Sequence, residues 1–151
     1  MSFKTRNMNT KSKRQSGASM IEVMVALLIL AIGLLGLAML QGKTMRVNTD
    51  AMLRSQATLL ANEIIESMRS NPTGAKNGLY KNLAGTKPAS CGGCTGYTKA
   101  ANDDLIDWYD AQAQVLPSPS SIIDYTGGKY TITMQWDERG IKTTQVWEVT
   151  I

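Results

Sequence analysis

An uninterrupted apolar run near the N-terminus most strongly limits what this chain can fold into. The eighteen residues from Val23 to Leu40 include no charged, amide or hydroxyl side chain. With residues 18–21 in front, the stretch is broken only by Glu22 and is long enough to cross a hydrocarbon core of about 30 Å as a helix. Backbone groups in lipid must bond within their own segment, so the whole stretch is predicted to be helical.

The charge of the chain is concentrated in front of this run. Residues 1–17 carry five basic side chains and no acid, whereas the whole chain has a net charge of +4, so residues 18–151 sum to 4 − 5 = −1. The positive-inside rule therefore predicts a cytoplasmic Met1 and an exported region after about Gln41. The folded part has no excess of basic residues, so we expect no nucleic-acid partner for it.

The composition also argues against most catalytic sites. The sequence has no histidine, which excludes Ser-His-Asp or Cys-His catalysis and His-ligated metals. Its two cysteines are too few for a four-thiolate zinc site, and no Gly-rich phosphate-binding loop is present. We therefore expect a protein that is not an enzyme and that has no cofactor and no metal site.

Two ordinary interpretations of the apolar run are a cleaved secretory signal and a plain signal anchor. A signal peptide has an apolar region of about 7–15 residues followed by small residues at the cleavage site. This run is longer, and it ends Ala38-Met39-Leu40-Gln41. Neither interpretation accounts for Glu22, because a carboxylate within an apolar helix is costly and is usually functional.

The residues around Glu22 favour a third interpretation. Lys13-Arg14-Gln15-Ser16-Gly17 is followed by Ala18-Ser19-Met20-Ile21-Glu22 and then by the apolar run. This pattern resembles the class III leader of type IV pilins and pseudopilins. The resemblance implies cleavage by prepilin peptidase between Gly17 and Ala18, N-methylation of Ala18, and Glu22 as the fifth mature residue. Ala18 departs from the phenylalanine or methionine that is common at the new N-terminus.

The resemblance also implies a role for Glu22 in assembly. Removal of residues 1–17 creates an amino group on Ala18, four residues before the carboxylate. Glu22 would then pair with the Ala18 amine of a neighbouring subunit and set the register of the filament. A misaligned subunit would leave a buried charge unpaired, at a cost of about 3–5 kcal/mol.

The helical pattern continues beyond the apolar run. Leu53, Ala57, Leu60, Ile64 and Met68 follow helical spacing, and Asn71-Pro72 ends the pattern. The sequence predicts one helix from about Ala18 to about Ser70. Residues 18–40 would form its membrane or filament-core part, and residues 41–72 its amphipathic continuation.

Residues 73–151 are expected to form a small exported domain. Residues 73–100 read as a long loop that contains Cys91 and Cys94. An exported location favours a disulfide between them, with a redox C-x-x-C motif or free or metal-bound thiols as alternatives. A short helix is predicted from Asp103 to Val115, with Asn102 as its N-cap and its acidic residues on a solvated face.

The last third of the chain has strand-like alternation. Residues 121–125, 130–136 and 143–151 read as three strands, with Thr126-Gly127-Gly128-Lys129 as a hairpin turn. Trp136 and Trp147 are candidates for a cross-strand pair. The predicted fold class is therefore α+β: a long N-terminal helix packed on a small antiparallel sheet, as in type IV pilins.

Further motifs indicate which pilin the chain resembles. Residues 60–72, 105–108 and 130–136 are similar to minor pilins of the pilus-modification (PilV-like) group, and Met39 stands where major pilins usually have a kinking proline. The resemblance implies a structural subunit that helps prime pilus assembly near the filament tip and supports adhesion or motility. Its partners would be other minor pilins, the major pilin, prepilin peptidase, the inner-membrane assembly platform and membrane lipid. The alternatives are a type II secretion pseudopilin and a membrane-anchored periplasmic thiol oxidoreductase.

Overall fold

The computed structural model describes Gly17 and residues 19–151. The chain divides into two compact units, residues up to Thr44 and residues Met45–Ile151. Its elements are α1 (Met20–Ser70), α2 (Pro72–Lys76), α3 (Gly96–Val115), β1 (Ser120–Thr126), β2 (Lys129–Glu138) and β3 (Ile141–Thr150). The α+β fold class is confirmed: a long helix with an apolar N-terminal part packs on a small three-stranded antiparallel sheet.

Helix α1 ends where the sequence predicts and begins two residues later than predicted, at Met20. It ends because Asn71 precedes a proline and leaves the helical region, with φ −122° and ψ 65°. Asn71 then becomes the N-cap of α2, since its side-chain oxygen accepts a hydrogen bond from the Gly74 N–H at 3.2 Å. One residue thus ends one helix and starts the next.

The predicted apolar face of α1 is confirmed within the unit Met45–Ile151. Its buried residues are Ala57, Leu60, Ala61, Ile64, Ile65 and Met68, and Leu53 packs at the margin of the same core. The residues predicted for the opposite side are exposed. This part of the helix therefore supplies one wall of the domain core.

The predicted long loop over residues 73–100 is wrong at both ends. Helix α2 occupies its start, and α3 begins at Gly96, seven residues before the predicted Asp103. The buried face of α3 is Ala101, Leu105, Trp108 and Gln112, so the helical stripe begins at a small residue that carries little apolar signal. Asn102 lies inside α3, and the prediction that it is the N-cap is wrong.

The three strands and their turns match the predicted alternation. Strand order is β1-β2-β3, with both pairs antiparallel. Gly127 and Gly128 both have positive φ, as the two-residue turn between β1 and β2 requires. The predicted Trp136–Trp147 pair is wrong, because Trp136 lies opposite Thr143 and Trp147 lies opposite Ile132. The short Arg139-Gly140 turn fixes this register, which places the two indoles four residues out of step.

Buried hydrogen bonds fasten α3 to its neighbours. The Trp108 indole N–H donates to the Leu60 carbonyl of α1 at 2.7 Å. The Ser121 hydroxyl of β1 donates to the side-chain oxygen of Gln112 at 2.5 Å, and both residues are buried. Such satisfied polar groups fix how the elements pack, because separating them leaves buried donors and acceptors without partners.

Two ion pairs join α1 to the turn between β2 and β3. Asp50 accepts from Arg139 at 2.6 Å, and Arg54 lies 3.5 Å from Glu138. The Glu138 side chain is only 8% exposed and also accepts from the Trp136 indole at 2.9 Å. Although burial disfavours its charged form, hydrogen bonds from Thr143, Trp136 and Arg54 hold the pKa of this carboxyl below its usual range.

This lowered pKa predicts a loss of stability in acid. A carboxyl whose pKa is depressed by folding stabilises the native state above its unfolded pKa, about 4.3, and this contribution is lost as the pH falls through the folded pKa. We expect Glu138→Gln to lower the free energy of unfolding by about 1–3 kcal/mol at pH 7. It should also flatten the fall in stability below about pH 4.3. Urea unfolding of both chains from pH 7 to pH 3 tests this, and equal acid slopes would contradict it.

Candidate membrane and assembly segment

The first described residues form the start of α1. Gly17 is exposed and lies outside any helix, and a side chain built on it meets no atom within 4 Å. The Ser19 carbonyl accepts from the backbone N–H groups of Glu22 at 2.9 Å and Val23 at 3.3 Å, which opens the helix. Ala18 and most of the leader, residues 1–16, lie outside the described residues, so the predicted new N-terminus is not placed.

Glu22 lies in the first turn of α1 and is exposed. A carboxylate at this position interacts favourably with the positive end of the helix dipole, worth about 0.3–1 kcal/mol. The spacing Ser19-x-x-Glu22 is also that of a capping box, a local signal that the sequence analysis missed. The acid therefore has a modest local role in its own helix, whatever its role between subunits.

The apolar part of α1 has no cover within the unit to which it belongs. Its large side chains from Met20 to Leu40 are all exposed, from 48% at Val23 to 83% at Met20. Soluble monomers rarely expose such a continuous apolar surface, because it is stable only in lipid or against other proteins. In the part of the chain that the structure describes, α1 is the one helix long and apolar enough to cross a membrane.

The comparison with known families falls on this segment. Residues 12–38 match the family described as the prokaryotic N-terminal methylation motif. The match covers the end of the leader, the Gly17–Ala18 bond, Glu22 and most of the apolar run. Searches of curated proteins and of solved structures give no significant match to the chain.

The motif and the structure agree on a class of protein. The chain carries a type IV pilin-like prepilin leader, and the fold is consistent with that of type IV pilins. The motif implies processing by prepilin peptidase and assembly with other pilins, and the leader with its single apolar helix fits membrane anchoring. Proteins of this class are generally structural. The motif suggests a type IV pilin-like protein or a pseudopilin, which share this leader.

Cys91 and Cys94 are bonded to each other, with Cα atoms 5.5 Å apart. Asn102 of α3 holds their loop, because its side-chain oxygen accepts from the Cys91 N–H and its amide donates to the Ala89 carbonyl, both at 3.1 Å. Lys87 adds an ion pair to Asp110 of α3 at 2.9 Å. Asn102 thus anchors the loop, a role that its place in the sequence did not reveal.

The surroundings of the disulfide bear on the redox alternative. The cysteines line an open cleft of about 350 Å³ together with Lys81, Asn82 and Asn102, and α3 begins two residues after Cys94. A helix directly after C-x-x-C is typical of redox motifs. The three strands of the described chain are antiparallel, however, so the motif does not lie in a βαβ unit.

The acidic residues of α3 have protein partners. Asp103 pairs with Lys99, Asp110 pairs with Lys87, and Asp104 accepts from the Tyr80 hydroxyl at 2.5 Å. Burial, with the hydrogen bond to Asp104, raises the pKa of Tyr80. Tyr80 therefore keeps its proton and serves as a structural donor. Within the described residues no group of acids and cysteines is arranged to hold a metal ion.

Proposed function

We propose that the protein is a minor pilin, a non-enzymatic structural subunit that helps prime assembly of a type IV pilus and stays at or near its tip. The observation that carries the proposal is the prokaryotic N-terminal methylation motif at residues 12–38, which runs into an exposed apolar helix. A packed α+β domain follows that helix. This order is what a subunit needs if it waits in lipid and then joins a bundle of similar helices.

The proposed pathway follows from the chemistry of the two ends of the apolar segment. Before assembly the segment lies in the inner membrane, with residues 73–151 in the periplasm. Prepilin peptidase removes residues 1–17, which takes away five positive charges that would hold the N-terminus in the cytoplasm. Lipid and neighbouring helices are similarly apolar, so transfer to a filament changes the hydrophobic free energy little, and packing and polar contacts decide association.

Register is the role we propose for Glu22. The mature N-terminus at Ala18 carries an amine, and the carboxylate follows four residues later in the first turn of α1. Pairing between neighbouring subunits satisfies both charges in one stagger only. A minor subunit with the same pair enters the same bundle as the major pilin.

The similarity of residues 60–72 to PilV-like pilins supports a minor role at the tip. Immunogold labelling of pili and quantitative mass spectrometry of sheared filaments test this placement. We expect the chain at filament ends, at a small fraction of the major pilin, and fewer pili in a strain that lacks it. Labelling along the whole shaft at a stoichiometry near one would contradict a minor, tip-located subunit.

A type II secretion pseudopilin is the second candidate, because it shares the leader that the motif defines. The same deletion strain separates the two. Loss of pili with normal secretion of exported enzymes supports the pilin assignment. Loss of secretion with normal pili would favour the pseudopilin.

Replacement of both cysteines separates the structural proposal from a thiol oxidoreductase. Loss of the four-residue ring in the Cys91→Ser/Cys94→Ser chain should lower the free energy of unfolding by about 2 kcal/mol on the loop-entropy model. We expect pilus number, counted by electron microscopy, to stay within about twofold of the wild type, since the remaining stability suffices for a domain of this size. A chain with normal abundance but no function would instead indicate redox chemistry at Cys91 and Cys94.

A further inference from the structure

Strand β3 leaves one edge of the sheet open. The tight turn pairs Glu138 with Ile141, so hydrogen bonds to β2 alternate along β3 and involve Thr143, Gln145, Trp147 and Val149. The outward backbone groups belong to the residues between them: Lys142, Thr144, Val146, Glu148 and Thr150. No described residue pairs with this outer edge.

The opposite edge of the sheet is treated differently. At β1 the backbone of Asn82 exchanges two hydrogen bonds with Ile123, each of 2.8 Å, which covers the middle of that edge. Strand β3 has ten residues without proline or glycine and no such cover. Long open edges attract other strands, and proteins usually block them unless they are used for pairing.

The charges on the open edge are symmetric. Lys142 and Glu148 are the charged residues of β3, and each lies three residues from Gln145. If two copies of β3 pair antiparallel with Gln145 opposite Gln145, each Lys142 lies directly across from Glu148 of the second copy. Opposite charges in such cross-strand positions stabilise the pair, and like charges destabilise it. Glu148 already contacts Lys129 at 2.5 Å through one carboxylate oxygen, but both side chains are about half exposed.

Gln145 supplies an independent indication of the same register. Its side-chain oxygen is buried and has no hydrogen-bond donor among the residues described. A buried amide oxygen without a partner costs about 1–3 kcal/mol, so such groups are rare in native structures. In the symmetric arrangement the two Gln145 side chains lie side by side at the two-fold axis, where each amide N–H can donate to the other's oxygen.

We propose that β3 is a self-pairing edge that joins two copies of this chain into one antiparallel six-stranded sheet, with Gln145 on the two-fold axis. Thr144 then lies opposite Val146 of the second copy, and Thr143 lies opposite its Trp147. This pairing is separate from the assembly of the N-terminal helices, so its failure would leave the proposed pilus function intact.

Disulfide trapping of the full-length chain in its membrane tests the register. Residues at a non-hydrogen-bonded antiparallel position have Cα atoms about 4.5 Å apart, within the range of a disulfide. Gln145→Cys should therefore form a covalent dimer under mild oxidation, and Cys91 and Cys94 do not interfere because they are bonded to each other. The matched control is Val146→Cys, which the register places two residues away from its own copy, beyond about 7 Å.

A second trap keeps the proposal testable if the buried substitution impairs folding. Chains with Thr144→Cys and Val146→Cys, carrying different tags, are produced together, and both positions are exposed. They should cross-link with each other and neither with itself. In the Gln145→Cys background, Lys142→Glu should lower the dimer yield about tenfold, because two like-charged pairs replace two favourable ones. Adding Glu148→Lys should restore the yield.

The outcomes separate the possible occupants of the edge. Dimers of Gln145→Cys and of the mixed pair, with none for Val146→Cys alone, support self-pairing. Equal cross-linking at every position, or yields that the charge exchange does not change, would overturn the register. A covalent product of another mass would show that a different protein occupies the edge and would overturn self-pairing, as would a monomer in every case.

Discussion

Gly17→Val is expected to leave the protein at its full length, with Met1 still at its N-terminus. A side chain at position 17 meets nothing within 4 Å, so the substitution does not disturb the fold of the chain itself. Loss of cleavage would therefore report on contact with the peptidase, which must bring its catalytic groups close to the backbone beside the scissile bond. Misplacement of that bond by about 1 Å should lower the rate of processing about 100-fold.

Intact-mass spectrometry of the purified chain measures this directly. The matched control is Gly42→Val, because Gly42 is also in open space but lies beyond the apolar run. The control and the wild type should both begin at Ala18. Normal cleavage of the Gly17 variant would contradict recognition of this glycine. A wild-type protein that begins at Met1, or that is cut near Gln41, would remove the basis for the pilin proposal.

Local patterns in the sequence were sufficient for most of the fold. Helix α1 ends where Asn71 precedes Pro72, because proline restricts the residue before it wherever the chain lies. The strands follow two-residue alternation, and the Gly127-Gly128 turn supplies the positive φ values that a tight hairpin requires. These features depend on neighbours in sequence, so they can be predicted without knowledge of the packing.

Features that depend on distant contacts were not predicted. The first turns of α3 carry a weak apolar signal, and they are helical because Ala101 packs in the core. The positions of Trp136 and Trp147 depend on strand register, which the Arg139-Gly140 turn sets. The burial of Glu138 and its contact with Arg54 join residues far apart in the chain. None of these follows from composition or periodicity alone.

The candidate site shows the same division. The charge pattern, the apolar run and the spacing of Gly17, Ala18 and Glu22 can be read directly from the sequence. Asn102 as the anchor of the cysteine loop could not be, because it acts on Cys91 across eleven positions. The pairing of Glu22 with an amine belongs to a second molecule, so neither the sequence nor one folded chain contains the contact.

Glu22→Val should give a protein that is processed and inserted in the membrane but is absent from filaments. Insertion should become easier, since a carboxylate near the bilayer is unfavourable and valine is not. In a packed bundle, however, the Ala18 amine of the neighbour would lose its partner, at a cost of about 3–5 kcal/mol. The amount in sheared pili, relative to the amount in membranes, should therefore fall by at least about 100-fold.

The size of the effect distinguishes this role from a local one. If Glu22 only stabilised the first turn of α1 through the helix dipole, its loss would weaken assembly about two- to fivefold. Glu22→Asp, which keeps the charge, should retain more incorporation than the neutral Glu22→Gln. Glu63→Val is the control for removal of an exposed acid elsewhere on α1, and it should enter filaments normally. Recovery of Glu22→Val at wild-type levels, or equal loss in Glu63→Val, would show that the acid at position 22 does not set the register.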